Sequence, residues 1–333
     1  MTRATVFGTG SWGTAYAAIL ADAGGEVCMW GRRPQLVEAI NSTRTNPEYL
    51  PGLQLPQAVS ATTDPQEALD GSELVMLALP SQLLRHHLAR WAALLPPDVP
   101  VVSLMKGVEL GTTKRMSEVI AEVASVAPER IVVVSGPTLS REIAAKQPAA
   151  SVVACVVEST AQRVAEASAA PYFRPYTNTD VVGTELGGAV KNVVALAVGM
   201  AEGMGMGDNS KATIITRGLA ETTRLGVALG ADPATFAGLA GVGDLIATCM
   251  SPLSRNRTFG VNLGRGMSVE EVVSLSRQTA EGVMSCESIL ALARHHGVDV
   301  PIIESVNAVV HQGWTPEQMG RALMARARKA EST

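Results

Sequence analysis

The chain has 333 residues, of which 47% are hydrophobic and 17% charged, and 27 Lys and Arg against 31 Asp and Glu give a net charge of −4. This length suffices for one large or two ordinary domains. The mildly acidic balance, with no run of Lys or Arg longer than two residues, excludes the electrostatic footprint of a nucleic-acid-binding protein or of a polybasic membrane anchor.

The cysteines and histidines form no recognisable metal-binding pattern. The cysteines are far apart and include no C-x-x-C pair, which supports neither a zinc site nor a disulfide framework. Each adjacent histidine pair would point about 100° apart on a helix, so neither pair can chelate a metal from one face. We therefore expect no metal ion and a reducing compartment. The residues are Cys28, Cys155, Cys249, Cys286, His86-His87, His295-His296 and His311.

An uncharged stretch from Ala4 to Ala21 follows Arg3 and looks superficially like a secretory signal. Glycines, Gly8 among them, interrupt the apolar helix that a signal needs, so we interpret the stretch as folded protein. Elsewhere charged residues such as Lys191 interrupt the apolar runs before they reach the about 20 residues that a spanning helix requires. The sequence predicts a cytoplasmic protein with no membrane segment.

The first half alternates short β-branched runs with helical patterns, which is typical of a parallel sheet wrapped by helices. The predicted strands are Ala4–Phe7, Glu26–Trp30, Glu73–Ala78, Pro100–Leu104, Ile131–Val134, Ala149–Val157 and Tyr172–Thr177. The predicted helices are Gly13–Ala23, Arg33–Asn41, Ser81–Leu95, Thr113–Val126 and Thr160–Ala169.

After about Asp180 the β-branched runs stop, and the pattern becomes helices separated by glycine-rich loops. We therefore predict a domain boundary there. An α/β domain would occupy residues 1–180, and an all-α domain would occupy residues 181–333.

The segment Gly8-Thr9-Gly10-Ser11-Trp12-Gly13 closes the first predicted strand and opens the first helix. G-x-G-x-x-G in this context is the fingerprint of a Rossmann-type doubly wound sheet that binds a dinucleotide. Gly8 permits the tight turn, Gly10 lets the backbone approach a pyrophosphate, and Gly13 allows close packing of the helix on the strand. The pyrophosphate would lie at the helix N-terminus, where free N–H groups favour an anion.

The residues after the second strand indicate which dinucleotide binds. An NAD site usually has an acid there for the ribose 2′-hydroxyl, whereas this chain has Arg32 and Arg33. Two guanidinium groups suit a 2′-phosphate, so the sequence favours NADP(H), with NAD(H) and a merely solvent-exposed arginine pair as the alternatives.

Further residues could complete the site. Lys106 and the segment Ser135-Gly136-Pro137-Thr138 each follow a predicted strand, at the sheet edge where open α/β sheets bind ligands. Lys191 lies on an otherwise apolar helix, where a buried ammonium without a partner would be costly, although it could also extend to the surface. Asp244 follows glycines, and Ser254-Arg255-Asn256-Arg257 could hold a phosphate.

These motifs in this order, together with Gly187-Gly188-Ala189-Val190-Lys191-Asn192, Gly241-Val242-Gly243-Asp244 and Glu281-Gly282, resemble the bacterial NAD(P)-dependent glycerol-3-phosphate dehydrogenases over nearly the whole chain. The resemblance implies that Lys191 is the catalytic acid/base. It implies a cofactor site formed by Gly8, Gly10, Ser11, Trp12, Gly13, Arg32, Arg33, Tyr49, Lys106, Ser140, Arg255 and Glu281. It implies a substrate site formed by Lys106, Gly136, Thr138, Lys191, Asp244, Ser254, Arg255 and Asn256.

The resemblance implies the reversible reduction of dihydroxyacetone phosphate to sn-glycerol 3-phosphate for glycerophospholipid synthesis, and a homodimer. Two alternatives stay open. A dehydrogenase of the 3-hydroxyacid or 6-phosphogluconate type shares a Rossmann domain, a helical domain and a helix lysine, but the Ser254-Arg255-Asn256 segment favours the glycerol phosphate reaction. A non-catalytic NADP(H) sensor would keep the glycine fingerprint and Arg32 without needing Lys191.

Overall fold

The structure is a computed structural model, and it describes residues 2–275, 280–328 and 330–331. The described residues form one eight-stranded sheet in the order β3-β2-β1-β4-β5-β6-β7-β8. The strands are β1 Arg3–Phe7, β2 Glu26–Trp30, β3 Val59–Thr62, β4 Leu74–Leu77, β5 Val101–Ser103, β6 Ile131–Ser135, β7 Ala149–Ala154 and β8 Phe173–Asn178. The first six have the strand order of a doubly wound dinucleotide-binding sheet.

The central strands are buried on both faces. Every residue of β4 and β6 is buried, and only Arg3 of β1 reaches solvent. Strands covered by helices on both sides read as continuous apolar runs, which explains why the sequence identified them. The short edge strand β3 has the mixed sequence Val-Ser-Ala-Thr, and we did not predict it.

One strand departs from the predicted all-parallel sheet. β7 runs antiparallel to β6, and β8 then pairs parallel with β7. The connection from β6 to β7 contains only the five-residue helix α6, Ser140–Ala144. Five helical residues span about 7.5 Å, which is too short to carry the chain back along the sheet. The chain therefore re-enters the sheet in the opposite direction.

Helices cover this sheet on both sides. Besides α6 they are α1 Ser11–Asp22, α2 Pro34–Thr43, α3 Pro65–Leu69, α4 Leu84–Trp91, α5 Met116–Ala124 and α7 Glu158–Ala167. The predicted helix Ser81–Leu95 is α4 flanked by the 3-10 turns Ser81–Leu83 and Ala92–Leu94. The predicted helix Thr113–Val126 is shorter at both ends, because an irregular segment precedes Met116.

The rest of the described chain is helical. The helices are α8 Val181–Gly203, α9 Asp208–Ala228, α10 Pro233–Phe236, α11 Asp244–Met250, α12 Arg255–Gly264, α13 Val269–Leu275, α14 Glu281–His295, α15 Pro301–His311 and α16 Pro316–Met324, with one π-helical turn at Leu239–Gly243. The predicted division at residues 180 and 181 falls between β8 and α8, and it stays a prediction.

The long helix α8 is the centre of the helical domain. It is apolar and long enough to cross a membrane, but 94% of its most apolar window is buried inside the protein. The segment Pro233–Met250 passes the same length and hydropathy test, and 44% of it is buried. Glycines let α12 pack directly on α8: a Cβ added to Gly260 would lie 2.2 Å from the Leu196 carbonyl oxygen. These features identify α8 as a core helix.

A buried carboxylate joins α9 to the start of α15. Glu221 is 2% exposed and accepts hydrogen bonds from the backbone N–H groups of Ile302, at 2.8 Å, and Ile303, at 3.3 Å. It therefore replaces a side-chain cap for the first turn of α15. Burial raises the pKa of Glu221 to about 7, and these hydrogen bonds oppose the shift.

Glu221 should make stability fall as pH rises. Because its folded-state pKa of about 7 exceeds the ordinary glutamate value of 4.5, the folded protein holds a proton between these pH values that the unfolded chain has lost. The free energy of unfolding should therefore decrease with pH in this window, by up to about 1.4 kcal/mol per pH unit. Urea unfolding from pH 4.5 to 7.5 should show a shallower decrease for Glu221→Gln. The exposed Glu304 of α15 provides a control: Glu304→Gln should keep the wild-type slope.

Candidate active site

The glycine fingerprint forms the turn between β1 and α1. Gly8 has φ +120°, and a Cβ there would lie 2.3 Å from the Ala78 carbonyl oxygen. A Cβ on Gly13 would lie 2.4 Å from the Gly8 carbonyl oxygen, so this glycine allows the helix to approach the strand. Gly10 differs, because a Cβ there would meet no atom within 4 Å. The first and third glycines thus serve the fold, and the second faces open space.

The residues around this turn fit a dinucleotide. Gly10 caps α1 without any side-chain hydrogen bond to the free N–H groups of the first turn, as an anion site at a helix N-terminus requires. Ser11 donates a hydrogen bond from its hydroxyl to the Tyr49 carbonyl at 2.7 Å, which ties Tyr49 to the turn. The Trp12 indole N–H is buried and has no hydrogen-bond partner within the described residues. An unsatisfied buried donor beside an open helix terminus is what a polar ligand could satisfy.

The two arginines after β2 have different surroundings. Arg33 forms an ion pair with Glu48 at 2.6 Å, and its guanidinium lies 5.3 Å from the centre of the Tyr49 ring. Arg32 is exposed, and its side chain forms no ion pair within the part of the chain that is described. The sequence could not distinguish them, because Glu48 lies fifteen residues away on a loop.

Lys106, Asp244 and Lys191 form a contiguous charged cluster. The Lys106 ammonium donates to Asp244 Oδ2 at 2.7 Å, to the Gly136 carbonyl at 2.8 Å and to Thr138 Oγ1 at 3.0 Å. The Lys191 ammonium donates to the other carboxylate oxygen of Asp244 and to Thr248 Oγ1. One carboxylate, 1% exposed, thus contacts both lysines. These five predicted substrate-site residues lie together at the carboxyl edge of the sheet.

A π-helical turn delivers Asp244 to this cluster. The turn Leu239–Gly243 directly precedes α11, whose first residue is Asp244. It packs against α8 at Gly187, where a Cβ would lie 2.3 Å from the Ala240 carbonyl oxygen. The glycine therefore lets the turn approach α8 closely, and Lys191, one helical turn further along, reaches Asp244. Such π turns occur frequently at functional sites.

Burial and neighbouring charge act strongly on Lys106. The pKa of Lys106 is lowered to about 8: burial is the largest cause, the positive charge of Lys191 acts in the same direction, and Asp244 opposes both. Near neutral pH the cluster still carries more positive than negative charge, which suits an anionic ligand.

A chain of amides links this cluster to α12 and α14. Asn192 donates to the Lys106 carbonyl at 3.3 Å, Asn256 donates to Asn192 Oδ1 at 2.9 Å, and the Gly282 N–H donates to Asn256 Oδ1 at 2.9 Å. Ser254 caps α12 by accepting a hydrogen bond from the Arg257 N–H at 3.2 Å. The N-terminus of α12 is therefore fixed beside the two lysines.

Glu281 connects α14 to the sheet domain. It accepts a hydrogen bond from the Ser81 hydroxyl at 2.9 Å and one from the Ser81 N–H at 3.4 Å. Burial raises the pKa of Glu281, and its hydrogen bonds to Ser81 and the positive charge of Arg255 oppose that rise. Arg255 and Glu281 are thus electrostatic neighbours where α12 and α14 approach the sheet domain.

The structure leaves some predicted residues apart from the cluster and adds others. Ser140 begins α6, is half-buried and joins the cluster through no hydrogen bond in the described chain. Thr248 and Asn192 contact Lys191 and Lys106, yet neither was predicted to act. Thr248 follows Asp244 by one helical turn, and that spacing was the available signal. Within the described residues no cluster of three His, Cys, Asp or Glu side chains could hold a metal.

Gly10 provides a direct test of the dinucleotide site. Gly10→Ala should lower the melting temperature only slightly, because its Cβ meets no protein atom and the substitution only replaces glycine by alanine, a poorer N-cap. It should weaken NADPH binding at least tenfold, because the methyl group would occupy space that a pyrophosphate needs. Gly207 also caps a helix and also faces open space, at the start of α9. Gly207→Ala is therefore the matched control and should bind NADPH normally in a fluorescence titration. Unchanged affinity in Gly10→Ala would contradict the assignment.

Comparisons with known proteins identify the family. Models of the N-terminus and the C-terminus of NAD-dependent glycerol-3-phosphate dehydrogenase match residues 3–161 and 180–321. A protein of Streptomyces griseus subsp. griseus named glycerol-3-phosphate dehydrogenase (NAD(P)+) is 65% identical over 329 residues, covering 99% of this chain and 98% of that protein. One from Thermobifida fusca is 60% identical over 99% of both chains. The crystal structure of glycerol-3-phosphate dehydrogenase from Coxiella burnetii superposes with a TM-score of 0.93 at 33% identity, covering 98% of this chain and 99% of that one. The chain belongs to the NAD-dependent glycerol-3-phosphate dehydrogenase family.

Proposed function

We propose that this protein catalyses the reversible, NAD(P)H-dependent reduction of dihydroxyacetone phosphate to sn-glycerol 3-phosphate. The observation that carries the proposal is the Lys106, Asp244 and Lys191 cluster at the carboxyl edge of the sheet. It places a proton donor and surplus positive charge at the edge where doubly wound folds bind their ligands. The family membership supports the same reaction.

Lys191 is the proton donor in this proposal. When bound, NADPH or NADH supplies the hydride for the substrate carbonyl carbon. The Lys191 ammonium donates a hydrogen bond to the carbonyl oxygen, stabilises the charge that develops there and transfers its proton to form the alcohol. Asp244 and Thr248 hold Lys191 Nζ from two directions, which fixes where that proton points. Lys191 then regains a proton from solvent.

Lys106 and the N-terminus of α12 bind the substrate phosphate in this proposal. Lys106 is held by Gly136, Thr138 and Asp244. Ser254, Arg255 and Asn256 begin a helix whose N-terminal N–H groups favour an anion. A guanidinium at this position can bind a phosphate with two parallel hydrogen bonds. In this proposal Arg255 and Glu281 also contact the cofactor, as the family resemblance implies.

Lys191→Met tests the proposed catalytic role. The variant should reduce kcat for dihydroxyacetone phosphate about 10²–10⁴-fold, because general acid catalysis typically contributes that much, while NADPH affinity stays within about threefold. Lys211 forms an ion pair with Asp208 on the surface of α9, so Lys211→Met is the matched control and should retain full activity. NADPH absorbance at 340 nm follows both. A Lys191→Met enzyme with a third of the wild-type kcat would exclude this role, and wild-type protein that binds NADPH without turnover would indicate a sensor.

The arginines after β2 support a preference for NADP(H). A 2′-phosphate carries nearly two negative charges at neutral pH, and the exposed guanidinium of Arg32 is available to it. Arg33 already pairs with Glu48 and covers the Tyr49 ring, so we assign it mainly to shaping that wall of the site. Cofactor specificity then depends on Arg32 more than on Arg33.

This division of roles predicts unequal effects. Wild type should prefer NADPH over NADH at least tenfold in kcat/KM, since a charge-assisted contact contributes about 1.5–3 kcal/mol and exposure favours the lower end. Arg32→Ala should lower kcat/KM for NADPH at least fivefold, and Arg33→Ala should lower it less. Values for NADH should change little in either variant. Equal use of NADPH and NADH by wild type would exclude these arginines from the cofactor site. An unchanged preference for NADPH in a variant that carries both Arg32→Ala and Arg33→Ala would exclude them as well.

We also propose that the enzyme acts in the cytoplasm and forms a homodimer. All four cysteines are free, as expected in a reducing compartment. The dimer rests on the family resemblance, and analytical ultracentrifugation would test it.

A further inference from the structure

Helix α8 presents two neighbouring faces to two different parts of the molecule. Gly187 and Lys191 face the π turn and α11, through Ala240, Asp244 and Thr248. Glu185, Gly188 and Asn192, spaced three and four residues apart, face the sheet domain. Residues with this spacing lie on one side of a helix. The helix that carries the proton donor is therefore also docked onto the domain that carries the cofactor site.

Glu185 makes the strongest contact on the sheet-facing side. Its carboxylate accepts hydrogen bonds from the Ser117 N–H at 2.8 Å, the Ser117 hydroxyl at 2.5 Å and Arg115 Nη1 at 2.7 Å. It is 7% exposed and lies at the N-terminus of α5, where the helix dipole favours a negative charge. Three hydrogen-bond donors of the sheet domain thus bind the Glu185 carboxylate.

The other described residues on this face form fewer hydrogen bonds to the sheet domain than Glu185 does. At Gly188 the helix contacts the sheet domain through its backbone, and a Cβ there would lie 2.5 Å from Ser135 Oγ. Asn192 donates a single bond of 3.3 Å to the Lys106 carbonyl. Glu185 lies six residues, or about 9 Å of helix, before Lys191. A shift of the Glu185 carboxylate relative to α5 would therefore be transmitted along α8 to Lys191.

We propose that Glu185, held by Arg115 and Ser117, is a positioning residue that sets the location of Lys191 relative to the cofactor site. The inference rests on the proposed function, since it concerns the geometry of that reaction. Reaction rates depend steeply on such geometry: a misplacement of about 1 Å can cost about 10²-fold.

Glu185→Gln changes this contact with little change in volume. A carboxylate offers two accepting oxygens to the three donors, whereas the amide offers one and directs its own N–H group at a donor. The half-buried guanidinium of Arg115 also loses one of its two charge partners and keeps only Glu118. We expect α5 and α8 to separate slightly, so that Lys191 moves with α8.

Glu118 provides a matched control. It also pairs with Arg115, at 3.1 Å, but its side chain is 46% exposed and it belongs to α5 itself. Glu118→Gln therefore removes one negative charge from beside Arg115, as Glu185→Gln does, but it leaves the contact between α5 and α8 unchanged. It should behave as wild type.

Single-turnover kinetics separate positioning from stability. The rate constant for NADPH oxidation at saturating dihydroxyacetone phosphate does not depend on the fraction of protein that is folded. In Glu185→Gln it should be at least tenfold lower than in wild type, with the Kd for NADPH within about twofold and the KM for dihydroxyacetone phosphate within about threefold. Glu185→Asp, which keeps the charge but shortens the side chain, should be intermediate.

A rate constant for Glu185→Gln within twofold of wild type would overturn the inference, even if its melting temperature fell. Equal loss in Glu118→Gln would overturn it as well, because the effect would then follow from the charge of Arg115 alone. If wild type itself fails to oxidise NADPH with this substrate, the proposed function fails first, so the two failures are distinguishable.

Discussion

One buried carboxylate holds the two halves of the site together. Asp244 contacts Lys106 from the sheet domain and Lys191 from α8, so three elements meet at a single side chain. Removing one partner of a buried ion pair typically costs about 3–5 kcal/mol, because a buried charge is left unpaired. Asp244 cannot neutralise both ammonium groups. Burial, together with the positive charge of Lys191, lowers the pKa of Lys106. The same arrangement that stabilises the cleft therefore prepares it for an anion.

The arrangement requires α8 to be contacted closely on several sides. Gly187 admits the π turn, Gly188 admits Ser135 and Lys106, and α12 packs against the helix further along at Gly260. Interior glycines weaken an isolated helix by about 1 kcal/mol each relative to alanine. In α8 this loss is offset by burial, since residues 183–201 are all buried. The glycines thus lower the intrinsic stability of the helix, but they allow the close packing that brings Lys191 into contact with Asp244.

Sequence patterns predicted what depends on local order along the chain. Continuous apolar runs identified the central strands, and the glycine spacing identified the turn at Gly8. The prediction of an all-parallel sheet was wrong at β7, because the direction of this strand depends on the length of α6 and not on the strand's own residues. The edge strand β3 was missed because four mixed residues carry little signal. In the site, the pairing of Arg33 with Glu48 and the contact of Glu185 with α5 join residues from separate elements, so spacing alone could not reveal them.

The electrostatics of the cluster also link substrate binding to protonation. In the proposed reaction a phosphate lies near Lys106, and a nearby negative charge favours the protonated form of a lysine. Because the pKa of Lys106 lies near 8 in the protein, it can rise on binding, and the site takes up protons above about pH 8. A sensor that binds only NADP(H) would not show this coupling, because in the proposed reaction the charge belongs to the substrate phosphate beside Lys106 and not to the cofactor at the glycine turn. In the proposed reaction, the two lysines around one aspartate therefore have separate tasks: Lys106 binds the anionic substrate and Lys191 transfers a proton to it.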